Sequence, residues 1–435
     1  MRKILLATAV GFAAFVADGV APAKAQAPAA ATPQPGFSVA VTGRLRFHGA
    51  LISQDGDSVP GGSKLSNFDF NTLGRFRLDF TGRNADGIIY GGRLEVRHGQ
   101  SDTNTSANAG LFLRVVNGFV GTPTLGQIRF GSNGVLAVPQ MNVGHMFAGM
   151  GTGTIDGDGP DFVYLGQRGL IANNFWYTST GNVNRAAGIG YYSPQFFGFD
   201  FGISYAPNEA AFLGTCADTN TFIEGCDRVS RVFNGETARF RNIIDVMLRY
   251  RGTFGPVGVA ASGGFRTASM TSVITANQAR KDPLVGILGA EVNFAGLTVG
   301  GITTFGNINR GFASGGNPGG VTALPKTASA AEDNDGLFSW LIGARYTFGP
   351  YTVGIGYHEL RSEGRTDTPA DLRERGFGIG GSYALGPGIA LFADYFFSTV
   401  RERGRLAAVD FNSLRAGAQD SFKAQGFLIG VGLGF

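Results

Sequence analysis

From Phe37 onward the chain alternates apolar and polar side chains with a period of two, and that alternation limits what it can fold into more than any other feature. Phe37, Val39, Val41, Leu45, Phe47 and Leu51 fall on one parity, and Ser38, Thr42, Arg44, Arg46 and His48 on the other. A period of two places the sets on opposite faces of a β-strand. Phe76, Leu78 and Phe80 then alternate with Arg75, Arg77, Asp79, Thr81 and Arg83. After the turn residues Asn84-Ala85-Asp86-Gly87, Ile88, Tyr90, Leu94 and Val96 alternate with Arg93, Glu95 and Arg97. A soluble sandwich also alternates, but its strands are usually ~5–6 residues long. These run to a dozen or more, enough for the ~9–11 residues of a tilted membrane-spanning strand.

Arginine dominates the polar parity. The chain has 30 Arg and only 6 Lys. A one-residue slip would turn Arg44, Arg46, Arg75, Arg77, Arg93 and Arg97 toward lipid at roughly 2–4 kcal/mol each near the bilayer midplane. Even at the low end the total is on the order of 10 kcal/mol, comparable to the stability of a whole domain. The arginine face is therefore read as a wet interior and the apolar face as the lipid side.

The same reading gives sixteen strands, near 37–51, 71–83, 87–98, 111–121, 126–131, 184–193, 198–206, 241–251, 256–266, 283–294, 297–307, 337–348, 351–361, 374–385, 389–400 and 424–435. Seven short connections alternate with eight long ones, so all long loops lie on one side. An even strand count with short periplasmic turns and long outer loops is the organisation of an outer-membrane barrel. The apolar stretch Ala172–Tyr177 is assigned to the long third connection, because counting it alone as a strand would put the next long loop on the wrong side. The fold class expected is all-β: a transmembrane antiparallel barrel of sixteen strands over 37–435.

Arg2 and Lys3, the apolar run Ile4–Val16 and Ala23-Lys24-Ala25 read as a signal peptide over 1–25, with Gln26 as the new N-terminus. Residues 26–36 read as an extended Pro/Ala tail. No later stretch reaches ~18 consecutive apolar residues, so no transmembrane helix is expected. A net charge of +4 gives no case for a nucleic-acid partner. Two cysteines and four scattered histidines give none for a metal or cofactor. Cys216 and Cys226, ten residues apart in a long loop of an exported chain, are expected to close that loop as a disulfide, with free thiols or metal ligation as the other readings. An enzyme housed in a barrel needs a Ser–His pair near the lipid face. His48 and His358 have inward parity, His145 lies in the third long connection, and His98, of outward parity, has no nucleophile motif beside it.

The run Arg75–Gly82 (RFRLDFTG), Tyr90-Gly91-Gly92-Arg93-Leu94-Glu95, Tyr192-Ser193-Pro194 followed by Phe196–Phe199, and the alternating last strand ending in Phe435 together resemble the general porins of Gram-negative bacteria, the sixteen-stranded trimeric kind. The resemblance implies a homotrimer in the outer membrane and a third loop folded into the pore, here 132–183. It also implies that Phe435 is part of the signal read by the barrel-assembly machinery. In that loop, Asp156, Asp158 and Asp161 are expected to form an acidic rim facing the arginines. As a calcium loop they would lack the Glu twelve positions from the first ligand. The loop is longer than in better-known porins and carries Met141, Met146, Phe147 and Met150.

A water-filled pore needs no catalysis, since its selectivity comes from radius and from rings of charge. Arg44, Arg46, Arg75, Arg77, Arg93, Arg97, Arg114 and Arg129 have inward parity on the first five strands, with Asp79 and Glu95 as the inward acids there. The expected function is passive diffusion of ions and small hydrophilic solutes, with a transverse field favouring polar or anionic ones. A substrate-selective channel and a structural, adhesin-like barrel are the alternatives.

Overall fold

The computed structural model describes residues 36–54, 66–98, 111–144, 186–208, 240–270, 282–307, 337–364, 369–401 and 421–435. They form β1 (Gly36–Gln54), β2 (Phe68–Arg83), β3 (Ile89–His98), β4 (Leu111–Thr122) and β5 (Gly126–Ser132). A short helix α1 (Ala137–Met141) precedes β6 (Ala187–Tyr192), β7 (Phe199–Asn208), β8 (Phe240–Phe254), β9 (Val257–Met270), β10 (Leu284–Phe294) and β11 (Leu297–Asn307). β12 (Leu337–Phe348), β13 (Tyr351–Gly364), β14 (Pro369–Gly386), β15 (Ile389–Arg401) and β16 (Ser421–Gly434) complete the chain. Every strand pairs antiparallel with its sequence neighbours, and β1 pairs with β16, so the sheet closes into a sixteen-stranded barrel. Closure leaves no unpaired edge, which is what lets a sheet cross hydrocarbon.

The strands lie where the alternation puts them. The largest extension is in β14, which begins at Pro369 instead of near 374. Its added residues, Pro369-Ala370-Asp371-Leu372-Arg373, carry no apolar–polar alternation to mark a strand.

At the closing seam Leu45 faces Leu433 and Phe47 faces Val431. Beyond them the Gly43 N–H donates to the Phe435 carbonyl at 2.9 Å, and the Phe435 N–H returns to the Gly43 carbonyl at 3.2 Å. The Phe435 ring lies so close over Gly43 that a Cβ there would sit 2.1 Å from it. The terminal Phe thus extends the β1–β16 ladder and covers the gap a glycine leaves.

One face carries the large apolar side chains in the open, among them Phe37 at 62% exposure and Ile429 at 59%. Such a belt on a closed barrel is a lipid-facing surface. Near the short turns Tyr346, Phe348, Tyr351 and Tyr383 stack in a row at 5.4, 5.4 and 4.9 Å between centroids. That row is one girdle of aromatic rings at a membrane interface.

The opposite face is the inside. Residues 133–144, the start of the third long connection, run along it over β7 to β10. Leu136, Ala137, Val138 and Met141 pack there against Ile243, Met247, Val285 and Ile287. Residues 1–35, His145, Met146, Phe147, Met150, Asp156, Asp158, Asp161, Ala172–Tyr177, Cys216 and Cys226 lie outside the described residues, so the leader, most of the tail, the acidic rim and the cysteine pair are expectations of the sequence.

Candidate functional site

Register fixes which side chains share the inner wall. Arg44 faces Arg75 and Thr42 faces Arg77 across β1 and β2. Arg75 faces Arg97, Arg77 faces Glu95 and Asp79 faces Arg93 across β2 and β3. Arg129 lies on the same inner face through its pairing with Phe119, which faces Gly91. Arg114 stands at a bulge, where Glu95 pairs with Val115 and Val96 with Leu113, so it has no register partner on β3. Arg44, Arg46, Arg75, Arg77, Arg93, Arg97 and Arg129 thus share one face of β1, β2, β3 and β5, with Arg114 on β4 between them. Arg46 is nearly buried at 7% exposure, whereas Arg77, Arg93 and Arg97 reach solvent.

Among the described residues several of these cations share a carboxylate. Glu95, almost fully buried, accepts hydrogen bonds from Arg77 and Arg97 and has Arg75 at 3.7 Å. Asp79 takes Arg93 through both its oxygens, the closer contact being 2.6 Å. On the far side Asp200 of β7 accepts from Arg249 at 2.6 Å and Arg251 at 2.9 Å. Arg suits this wall because it stays ionised and its planar fork is fixed by carboxylate geometry. A Lys would be a mobile point charge.

Residues 133–144 are pinned to the wall by a ladder of side-chain acceptors, one from each strand passed. The Ala137 N–H donates to Ser204 Oγ of β7 at 2.8 Å, and the Val138 N–H to Asp245 Oδ2 of β8 at 2.9 Å. The Val143 N–H reaches Ser262 Oγ of β9 at 3.1 Å, and the Gly144 N–H reaches Glu291 Oε2 of β10 at 3.4 Å. Asp245 is itself fixed by Arg266 through two hydrogen bonds of 2.6 and 2.7 Å, both side chains being fully buried. Gly144 has φ +86°, and a Cβ there would lie 2.1 Å from the Gly301 carbonyl oxygen, so the position needs glycine on both counts. From the opposite end Tyr192 donates its hydroxyl to the Val135 carbonyl at 2.6 Å. Arg129 lies 4.5 Å over the Tyr192 ring and donates to Gln140 Oε1 at 3.1 Å, tying the arginine wall to the inserted segment.

A model of the Gram-negative porin family matches residues 7–402. The chain belongs to that family. It is therefore a channel-forming barrel of the Gram-negative outer membrane, serving passive diffusion and not catalysis. Among solved structures it is similar to an anion-selective porin from Comamonas acidovorans, with 16% identity over 92% of this chain and 100% of that one and a TM-score of 0.53. It is also similar to the outer-membrane OmpT of Vibrio cholerae, with 13% identity, 93% and 99% coverage and a TM-score of 0.51. Salmonella typhi OmpF in complex with daunomycin gives 12% identity, 91% and 97% coverage and a TM-score of 0.50. These likenesses are of fold. No curated protein matches the chain.

Sequence reasoning did not single out Asp200, Arg249, Arg251, Asp245 or Arg266. Each has inward parity, so the strand pattern held the signal. What it lacked was the register that sets Asp200 opposite Arg249 and Asp245 opposite Arg266 on adjacent strands. Among the described residues no group of three or more His, Cys, Asp or Glu is placed to hold a metal ion.

Proposed function

We propose that this porin favours small anionic and polar solutes, because its inner wall carries more guanidinium than carboxylate. The observation behind the reading is the sharing of acids: three arginines around Glu95 and two around Asp200. Each group carries net positive charge toward the bore, where rings of charge govern ion selectivity. The anion-selective porin from Comamonas acidovorans, which shares this fold, points the same way. Asp156, Asp158 and Asp161 form the opposing acidic rim of the constriction, giving a field across the pore.

The same reading includes cleavage after Ala25, a mature tail over 26–36, a Cys216–Cys226 disulfide in an outer loop, assembly as a homotrimer, and recognition of Phe435 by the barrel-assembly machinery. Reversal potentials across planar bilayers in a KCl gradient test the selectivity. The parent barrel is expected to prefer chloride, and Arg44→Ala with Arg75→Ala to weaken that preference. A strong cation preference unaltered by both substitutions would refute it.

A further inference from the structure

The face of α1 turned away from its dry seat presents Gln140 to the bore. Ala137, Val138 and Met141 are buried, whereas Gln140 is exposed. Two guanidinium groups from strands that are not neighbours converge on it. Arg129 of β5 donates through Nη1 to Gln140 Oε1 at 3.1 Å, and Arg249 of β8 donates through Nη1 to the Gln140 carbonyl at 3.4 Å. Arg249 and Arg93 both lie close enough to act on Arg129 electrostatically.

The two cations on Gln140 are held differently. Arg249 shares Asp200 with Arg251. Among the described residues Arg129 has no carboxylate partner. It is held by the face of Tyr192, 4.5 Å from the ring centroid, and by the Gln140 amide. The ring is itself fixed, its hydroxyl donating to the Val135 carbonyl at 2.6 Å. An aromatic face and an amide oxygen position a guanidinium group without neutralising it.

The amide has a fixed sense. Arginine donates and never accepts, so Oε1 must face Arg129, which turns the two N–H groups of Nε2 the other way. With its side-chain acceptor taken up, the junction is left with donors: Gln140 Nε2 on one side, and on the other Arg129 Nε, which has no hydrogen-bond partner. A glutamate would have the same reach and would bind both arginines more strongly, but it would cancel one positive charge. Glutamine keeps the geometry and leaves the charge in place.

We propose that Gln140 is a specificity-determining residue of this pore. It positions Arg129 beside Arg249 and forms with them a subsite for a small anion where the inserted segment meets the wall. The sign of the bound ion rests on the anion reading above, whereas the positioning role of Gln140 does not.

The test is a double-mutant cycle on the full barrel in planar bilayers, read as the chloride-to-potassium permeability ratio from reversal potentials in KCl gradients centred on about 0.01 M, where screening is weak. Gln140→Met keeps the length of the side chain and changes no charge. It is expected to lower the ratio about 1.5-fold, because Arg129 loses its acceptor and the anion loses a donor. Arg129→Gln removes a whole charge and should lower the ratio about threefold. In that background Gln140→Met should have no further effect. Gln140→Glu should lower the ratio as far as Arg129→Gln does at neutral pH, and acidification through the carboxylate range should bring it back toward the parent measured at the same pH. A ratio unchanged by Gln140→Met would overturn the proposal. So would an effect of Gln140→Met that persists in full in the Arg129→Gln background, since Gln140 would then not act through Arg129. The anion reading is decided separately, by the sign of the parent's own reversal potential. If Gln140→Met does not insert, Gln140→Ala is carried through the same cycle.

Discussion

Replacing Glu95 by glutamine removes one negative charge from the inner wall while keeping side-chain length and an acceptor oxygen for Arg77 and Arg97. Its effect on selectivity can be worked from the barrel's dimensions. Sixteen strands ~4.8 Å apart and tilted ~40° give a circumference of ~100 Å and a backbone radius of ~16 Å. With side chains reaching inward, a wall charge lies about 10 Å from the axis, where one unit charge in water is worth ~0.4 kcal/mol. At 0.1 M salt, with a Debye length of ~10 Å, screening leaves ~0.15 kcal/mol. That raises anion occupancy about 1.3-fold and lowers cation occupancy equally, so the chloride-to-potassium permeability ratio should rise about 1.7-fold. At 0.01 M, with a Debye length of ~30 Å, the same charge should change the ratio nearly threefold. Reversal potentials of single channels in KCl gradients centred on the two concentrations measure both numbers, and circular dichroism checks that the barrel is intact. A cost in stability is expected as well, toward the low end of the ~3–5 kcal/mol for breaking a buried pair, since Arg77 and Arg97 reach solvent. A reversal potential unchanged at both concentrations, or one moved toward potassium, would refute the idea that this arginine cluster faces the permeating solution.

Asp245→Asn should cost about 3–5 kcal/mol in thermal unfolding, because fully buried Arg266 loses its counter-charge. It should also loosen the inserted segment at Val138, read as noisier single-channel current. An unchanged melting midpoint would contradict the role given to the pair. Gly144→Ala places a Cβ against the Gly301 carbonyl in a left-handed backbone conformation, so it should displace the end of the segment and alter single-channel conductance while leaving β-sheet content unchanged. Parent-like conductance would show that this residue does not set the bore.

Much of the fold is legible in the alternation because a barrel face in contact with lipid tolerates few polar residues. Phe76, Leu78 and Phe80 against Arg75, Arg77 and Asp79 admit one register. The pattern fades on the opposite side of the barrel. In β10, Val285 and Ile287 point inward while Leu284 and Leu288 point outward, so both parities are apolar and period two alone does not say which face is wet. The sixteen-strand count survives there because the turns, and not the parity, mark the strand ends. Asp200 and Asp245 were missed for a related reason. An isolated acid in a strand gains a meaning only when register places it opposite Arg249 or Arg266.

The apolar inner patch of β8 to β10 explains why the inserted segment has the composition it does. Ile243, Met247, Val285 and Ile287 would be a misplaced hydrophobic surface in a bore filled with water. Covering them with Leu136, Val138 and Met141 gains roughly 1.5–3 kcal/mol for each large apolar side chain fully buried. The polar rungs at Ser204, Asp245, Ser262 and Glu291 satisfy backbone N–H groups that this packing takes away from water. The two halves of the wall thus do different work. β7 to β10 form a dry seat for the inserted chain, and β2 and β3 keep the guanidinium groups of Arg77, Arg93 and Arg97 wet. Filling one half displaces the open passage toward the arginines, which increases the weight of each charge there. Substitutions on the apolar half should accordingly act by moving the segment, and change conductance before they change ion preference.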